Sequence, residues 1–137
     1  MRSVTSSAAS TGAASGGTAS GRAASGDEAA GPVLTADEIG AEFGSRATFV
    51  QFSSAFCSPC RTTRLLLGQV AGELDGVVHA EIDAEHHLEL VRRLDITRTP
   101  TVLVLDATGR EVRRATGVPR RTDALAAVAL ASASPAT

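Results

Sequence analysis

The chain has 137 residues and a formal net charge of -2, which suits one domain with a single core and provides no long-range field to draw nucleic acid or an anionic membrane surface. No stretch approaches the roughly 20 apolar residues that span a bilayer, so a soluble chain with neither a nucleic-acid nor a membrane partner is expected. Its two cysteines, Cys57 and Cys60, lie too close together to staple a fold as the spread disulfides of small secreted domains do, which leaves redox or metal work.

Residues 1–31 are mostly Ser, Ala, Gly and Thr. They hold too few large apolar side chains to offset the entropy of ordering, so a disordered tail is expected there. They also lack the basic start and the apolar stretch of about 7–15 residues that mark a secretory signal. A cytoplasmic location is the expectation, or an extracytoplasmic one if an export segment is missing from this sequence. The folded domain is placed at 32–132, with a short tail at 133–137.

Thr35-Ala36-Asp37-Glu38 has the Thr-x-x-Glu form of a capping box, with Ile39 and Phe43 four apart behind it, and predicts a helix running to about Gly44. Ala47 to Ser53 follows as a strand apolar on both faces, hence central in a sheet. Leu66, Leu67, Val70, Ala71 and Leu74 then give one apolar helical face, ended by Gly76. Val77 to Ile82 reads as a strand, and Asp83 opens a helix whose stripe is Leu88, Leu90, Val91 and Leu94.

Pro100 precedes the apolar strand Thr101 to Leu105, where its missing N–H does least harm. Asp106 to Gly109 is turn chemistry and returns Arg110 to Ala115 as an antiparallel strand; Thr122 is read as the cap of a last helix carrying Leu125, Val128 and Ala129. The expected architecture is α/β: a mixed central sheet with helices on both faces. Strands separated by helices are expected to run parallel, with one antiparallel hairpin.

Cys57 falls at a strand-to-helix junction, where free N–H groups and the positive end of the helix dipole favour a thiolate. Cys60, one turn along, is near enough to close a disulfide behind it, and Pro59 suits the first helical turn. A thiolate at Cys57 would attack a substrate disulfide and Cys60 would resolve the mixed disulfide. Half of a zinc site is the metal alternative, but no second cysteine pair exists and His79, His86 and His87 lack finger spacing. Redox work is favoured, with no metal and no cofactor beyond the Cys57–Cys60 disulfide. An inert or metal-bound pair in a non-catalytic binding module is the alternative.

Phe49-Val50-Gln51-Phe52, Phe56-Cys57-Ser58-Pro59-Cys60-Arg61, Glu81-Ile82-Asp83, Ile96 to Thr101, Asp106 to Gly109 and Gly117 resemble the thioredoxin family in order and spacing, over about residues 33 to 131. The resemblance implies the thioredoxin fold and a protein-disulfide reductase, monomeric, acting on protein disulfides and recharged by a thioredoxin reductase or another thiol reductant. It further implies that Pro100 is a cis-proline against the Cys pair and that the Thr99 backbone pairs with an extended substrate segment. Phe56, Ser58 and Pro59 belong to the motif and tune the pair.

The chain departs from the family where a buried aspartate is usual and it has Gln51, and where a lysine is usual and it has His79; Ser53 and Phe56 stand where tryptophans are common. An amide cannot ionise. His79 should point to the same side of the sheet and could take part of the proton-handling role, although a solvent-facing or core-edge histidine is the simpler reading. Arg61 and Arg64 could support the thiolate or steer acidic partners, although a solvated helix face is the simpler reading.

Overall fold

A computed structural model describes residues 31–133. The tail expected at 1–31 therefore lies, apart from Gly31, outside the described residues, as does most of the one expected at 133–137. Four strands, β1 (Ala47–Ser53), β2 (Val77–Asp83), β3 (Thr101–Leu105) and β4 (Glu111–Thr116), form one sheet in the order β2-β1-β3-β4. All seven residues of β1 are buried, as expected of a strand covered on both faces.

Alternation along the strands divides the core in two. One side gathers Val50, Phe52, Ala80, Ile82, Leu103 and Leu105 against Leu34, Ile39, Leu90, Leu94 and Ile96. The other packs Ala47, Phe49, Val77, Val102 and Val104 against Leu67 and Val70 of α1 (Ser58–Glu73) and Ala124, Ala127, Val128 and Ala131 of α2 (Arg121–Ala133). These two helices share the face on which the cysteines sit.

Some sequence expectations are corrected. The capping box is present, with Glu38 N–H donating to the Thr35 hydroxyl and the Glu38 carboxylate accepting from Thr35 N–H, but its helix spans only Ala36–Ile39 because Gly40, in the left-handed region, closes it. Asp83 caps a short 3-10 turn, and the following helix is only Leu88–Arg93, with Leu88 exposed. The last helix starts at Arg121, so Thr122 lies inside it, and Leu125 and Ala129 face outward. Its buried stripe is the expected Val128 with Ala124, Ala127 and Ala131, whose small size lets the helix lie close to the sheet.

β1 and β2 are parallel, but β3 runs antiparallel to β1 as well as to β4. Six residues of helix rise about 9 Å, whereas a strand of seven covers about 23 Å; Leu88–Arg93 is too short to carry the chain back along the sheet. β3 therefore enters at the end where β2 leaves. The same end holds the exit of β1 and of β4, so four loops meet there: 54–57, 84–87, 96–100 and 117–120.

One buried group is left over. Thr63, fully buried in α1, has a hydroxyl without a hydrogen-bond partner among the described residues. Thr63→Val removes that orphan and keeps the branched shape, so an unfolding free energy raised by about 1 kcal/mol is expected; a loss in urea denaturation would mean that the hydroxyl has a partner in solution.

Candidate active site

α1 begins with Cys57 as its N-cap residue, in extended backbone conformation, and the Cys60 N–H donates to the Cys57 sulfur at 3.2 Å. The pair is closed as a disulfide with Cα atoms 5.2 Å apart. Cys57 is half-buried, whereas Cys60 is 1% exposed. A disulfide partner entering from solvent thus meets Cys57 first. When the pair is reduced, the same N–H and the helix terminus stabilise negative charge on that sulfur.

Phe56, immediately before Cys57, has φ 57° and is fully exposed. Left-handed backbone costs an L-residue roughly 1–2 kcal/mol, and a bulky ring offered wholly to water recovers nothing by packing. The strain sits at the site, where a partner could cover the ring.

Opposite lies the loop that enters β3. The Thr99–Pro100 peptide bond is cis, Pro100 is buried, and its carbonyl accepts from Gly117 N–H at 2.9 Å. Ser54 and Thr99 hydroxyls are 2.8 Å apart, tying the loop before Cys57 to the loop before β3. Ser58 and Pro59 are exposed in the first turn of α1.

Beneath Cys60 the sheet is polar. Gln51, fully buried, donates from Nε2 to the Cys60 carbonyl at 2.8 Å and to the Ser53 hydroxyl at 3.1 Å, and its Oε1 is 2.9 Å from His79 Nε2. An amide oxygen only accepts, so His79 carries its proton on Nε2. Ser53 donates onward to Glu81 Oε2 at 2.8 Å, and Arg64 grips both oxygens of Glu81 at 2.7 and 2.9 Å. Gln51 and Ser53 alternate on β1 as His79 and Glu81 do on β2, and β1–β2 register sets Gln51 opposite Glu81.

His79 therefore meets Gln51 on the expected side of the sheet, and reaches the Cys60 backbone only through an amide that does not titrate. Ser53, Ser54 and Glu81 were not picked out as site residues from sequence. The signal for two of them was the repeated polar-x-polar pair in otherwise apolar strands, Gln51-x-Ser53 and His79-x-Glu81.

Burial holds the His79 imidazole below its ordinary value of 6.5; Glu81 pulls it up, and Arg64 pushes it further down. Glu81 is itself held below 4.5, chiefly by the Arg64 hydrogen bonds and against its own burial. Because the folded chain favours neutral His79, its stability is full above the unfolded value near 6.5 and falls as pH drops through the lower folded value. The Glu81 contribution is lost only below about 4.5, a separate window. The urea midpoint should fall between pH 7.5 and 5.5, and fall less in His79→Gln; equal loss in both proteins would exclude His79 as the source.

Among the described residues, no three His, Cys, Asp or Glu side chains gather as metal ligands would, and no helix is long and apolar enough to cross a membrane.

The geometry can be set beside known proteins. The family model for thioredoxin matches residues 36–131. Thioredoxin domain-containing protein 2 of Homo sapiens is 38% identical over 60 residues, which are 44% of this chain and 11% of that protein. Thioredoxin domain-containing protein 8 of Mus musculus is 30% identical over 64 residues, 47% of this chain and 50% of that protein. This chain thus spans half or less of the length of these two relatives. The X-ray structure of Fasciola hepatica thioredoxin shares the fold at a TM-score of 0.56 and 24% identity, over 69% of this chain and 86% of that one. With its mixed four-stranded sheet, its helices and a family match across 36–131, the chain belongs to the thioredoxin family.

Proposed function

We propose that this chain is a thiol-disulfide oxidoreductase working as a protein-disulfide reductase, with Cys57 as nucleophile and Cys60 as resolving cysteine. The observation that carries it is the asymmetry of the pair: Cys57 reaches solvent at a helix N-terminus while Cys60 is buried behind it. The Cys57 thiolate attacks a substrate sulfur, the disulfide electron pair leaves on the other sulfur and is protonated, and Cys60 then displaces the substrate from Cys57. Two electrons pass to the substrate as the Cys57–Cys60 disulfide closes.

Thr99 and Pro100 position an extended substrate segment, and Phe56 offers it an apolar contact. Gln51 holds the Cys60 carbonyl and His79 orients Gln51, so both tune the pair without touching substrate. The disulfide itself is the only redox group the reading requires. Its partners are protein disulfides and a thiol reductant, which a thioredoxin reductase could supply; it acts as a monomer in the cytoplasm.

The test is insulin reduction driven by dithiothreitol, together with a redox titration of the pair. Insulin thiols should appear well above the dithiothreitol background, and the potential should lie near the roughly -270 mV of thioredoxin. No acceleration over background would leave a binding module with a structural clip. A potential near the roughly -120 mV of a strong oxidant would reverse the direction of the reaction.

A further inference from the structure

Every charged side chain on the loops 54–57, 96–100 and 117–120 and in the first turns of α1 and α2, apart from Asp123, is an arginine, whereas the loop after β2 carries Glu85. Residues 54–72 carry only Arg61 and Arg64; residues 96–105 carry only Arg98; residues 117–122 carry only Arg120 and Arg121. This is not a general excess of positive charge, since the chain as a whole is at -2.

The carboxylates near this end are only partly engaged: Glu85, Asp95 and Asp123 have no ion pair among the described residues. Glu81 is held by Arg64, Asp83 hydrogen-bonds the His86 ring, and Arg121 is taken up by Glu73 at the far end of α1. Arg61, Arg98 and Arg120 are exposed and have no carboxylate partner among the described residues. Arg61 follows Cys60 directly, Arg98 stands two residues before Pro100, and Arg120 lies beyond the Gly117 that bonds the Pro100 carbonyl. The same loops carry two exposed apolar side chains, Phe56 and Val118.

We propose that this rim selects protein disulfides flanked by acidic residues, with Arg61, Arg98 and Arg120 pairing with the flanking carboxylates while Phe56 and Val118 cover the apolar part of the segment. The proposal rests on the reductase reading and names its substrate class. At physiological salt the screening length is about 8 Å, so a docked segment feels the nearby guanidinium groups and little of the distant net charge. Guanidinium groups also bind carboxylates through paired donors.

Single-turnover reduction of three cyclic disulfide peptides of one core sequence, flanked by Asp/Glu, by Ser/Gly or by Lys, tests it. The protein is reduced beforehand, freed of excess reductant, and supplies the two electrons itself; reactions are quenched in acid and resolved by chromatography. At low salt the acidic peptide should react about tenfold faster than the Lys peptide. That ratio should fall toward one in the triple variant Arg61→Gln, Arg98→Gln, Arg120→Gln, and in the unaltered protein near 1 M salt, where screening acts within about 3 Å.

Equal rates for the three peptides at low salt would overturn the acidic preference and leave the reductase reading standing. So would a ratio that persists in the triple variant and at high salt. Reduction of none of them would remove the reductase reading, and this proposal with it.

Discussion

Cys57→Ser should reduce disulfide exchange to the rate of the added reductant alone. A hydroxyl stays protonated at neutral pH and forms no disulfide, so the variant loses both the attacking anion and the covalent intermediate. The fold should persist, because serine is a favoured N-cap residue and can accept the helix N–H that the Cys57 sulfur accepts now. Circular dichroism matching that of the reduced parent, with insulin thiols at background, is the expected result. Residual catalysis would assign the nucleophile to Cys60, which its 1% exposure argues against.

Gln51→Leu is the substitution with the largest expected effect on stability. The amide joins three partners, the Cys60 carbonyl, the Ser53 hydroxyl and the His79 N–H, at 2.8, 3.1 and 2.9 Å in a fully buried position. Leucine has similar bulk and satisfies none of them. Stranding buried polar groups costs about 1–3 kcal/mol each, partly recovered here because His79 is only half-buried, so a loss of about 2–4 kcal/mol is expected.

Urea denaturation should show a lower midpoint with an unchanged slope. The potential should also move, since the Cys60 backbone loses its anchor. A stability change under about 1 kcal/mol would mean that water replaces the amide without penalty, and that Gln51 does not hold Cys60 in place.

How much of the fold is legible in the sequence depends on the range over which each signal acts. Cys57, Pro59 and Cys60 sit at a junction that local rules define: a strand apolar on both faces, then a proline in the first turn of a helix. β1 was legible as the central strand for the same reason. The Thr35–Glu38 capping box was legible too, but the extent of its helix was not, because Ile39 and Phe43 at helical spacing outweighed Gly40.

The last helix shows the opposite failure. Leu125, Val128 and Ala129 are its apolar candidates, yet the sheet accepts Val128 with Ala124, Ala127 and Ala131, and only the available space decides that. β3 was harder, because direction depends on how far a short helix can carry the chain. The polar network lay furthest from view: Arg64 and Glu81 are 17 residues apart and meet only through β1–β2 pairing and the placement of α1.

The Gln51 network also gives the His79 question a physical form. Among the described residues, a proton leaving Cys60 has no carboxylate in hydrogen-bond contact with that residue, and His79 lies across a neutral amide. The imidazole is placed to fix the amide, and the amide to fix the backbone beneath the sulfur. The pH dependence of the resolving step should therefore follow the cysteines themselves.

Trapping tests the central claim most directly. Cys60→Ser, reduced and exposed to an oxidised protein substrate, should accumulate a mixed disulfide through Cys57, seen by mass as a stoichiometric adduct that dithiothreitol removes and that is absent in the Cys57→Ser, Cys60→Ser double variant. An adduct-free Cys60→Ser protein, its Cys57 still free and titratable after exposure to substrate, would contradict exchange chemistry at this site.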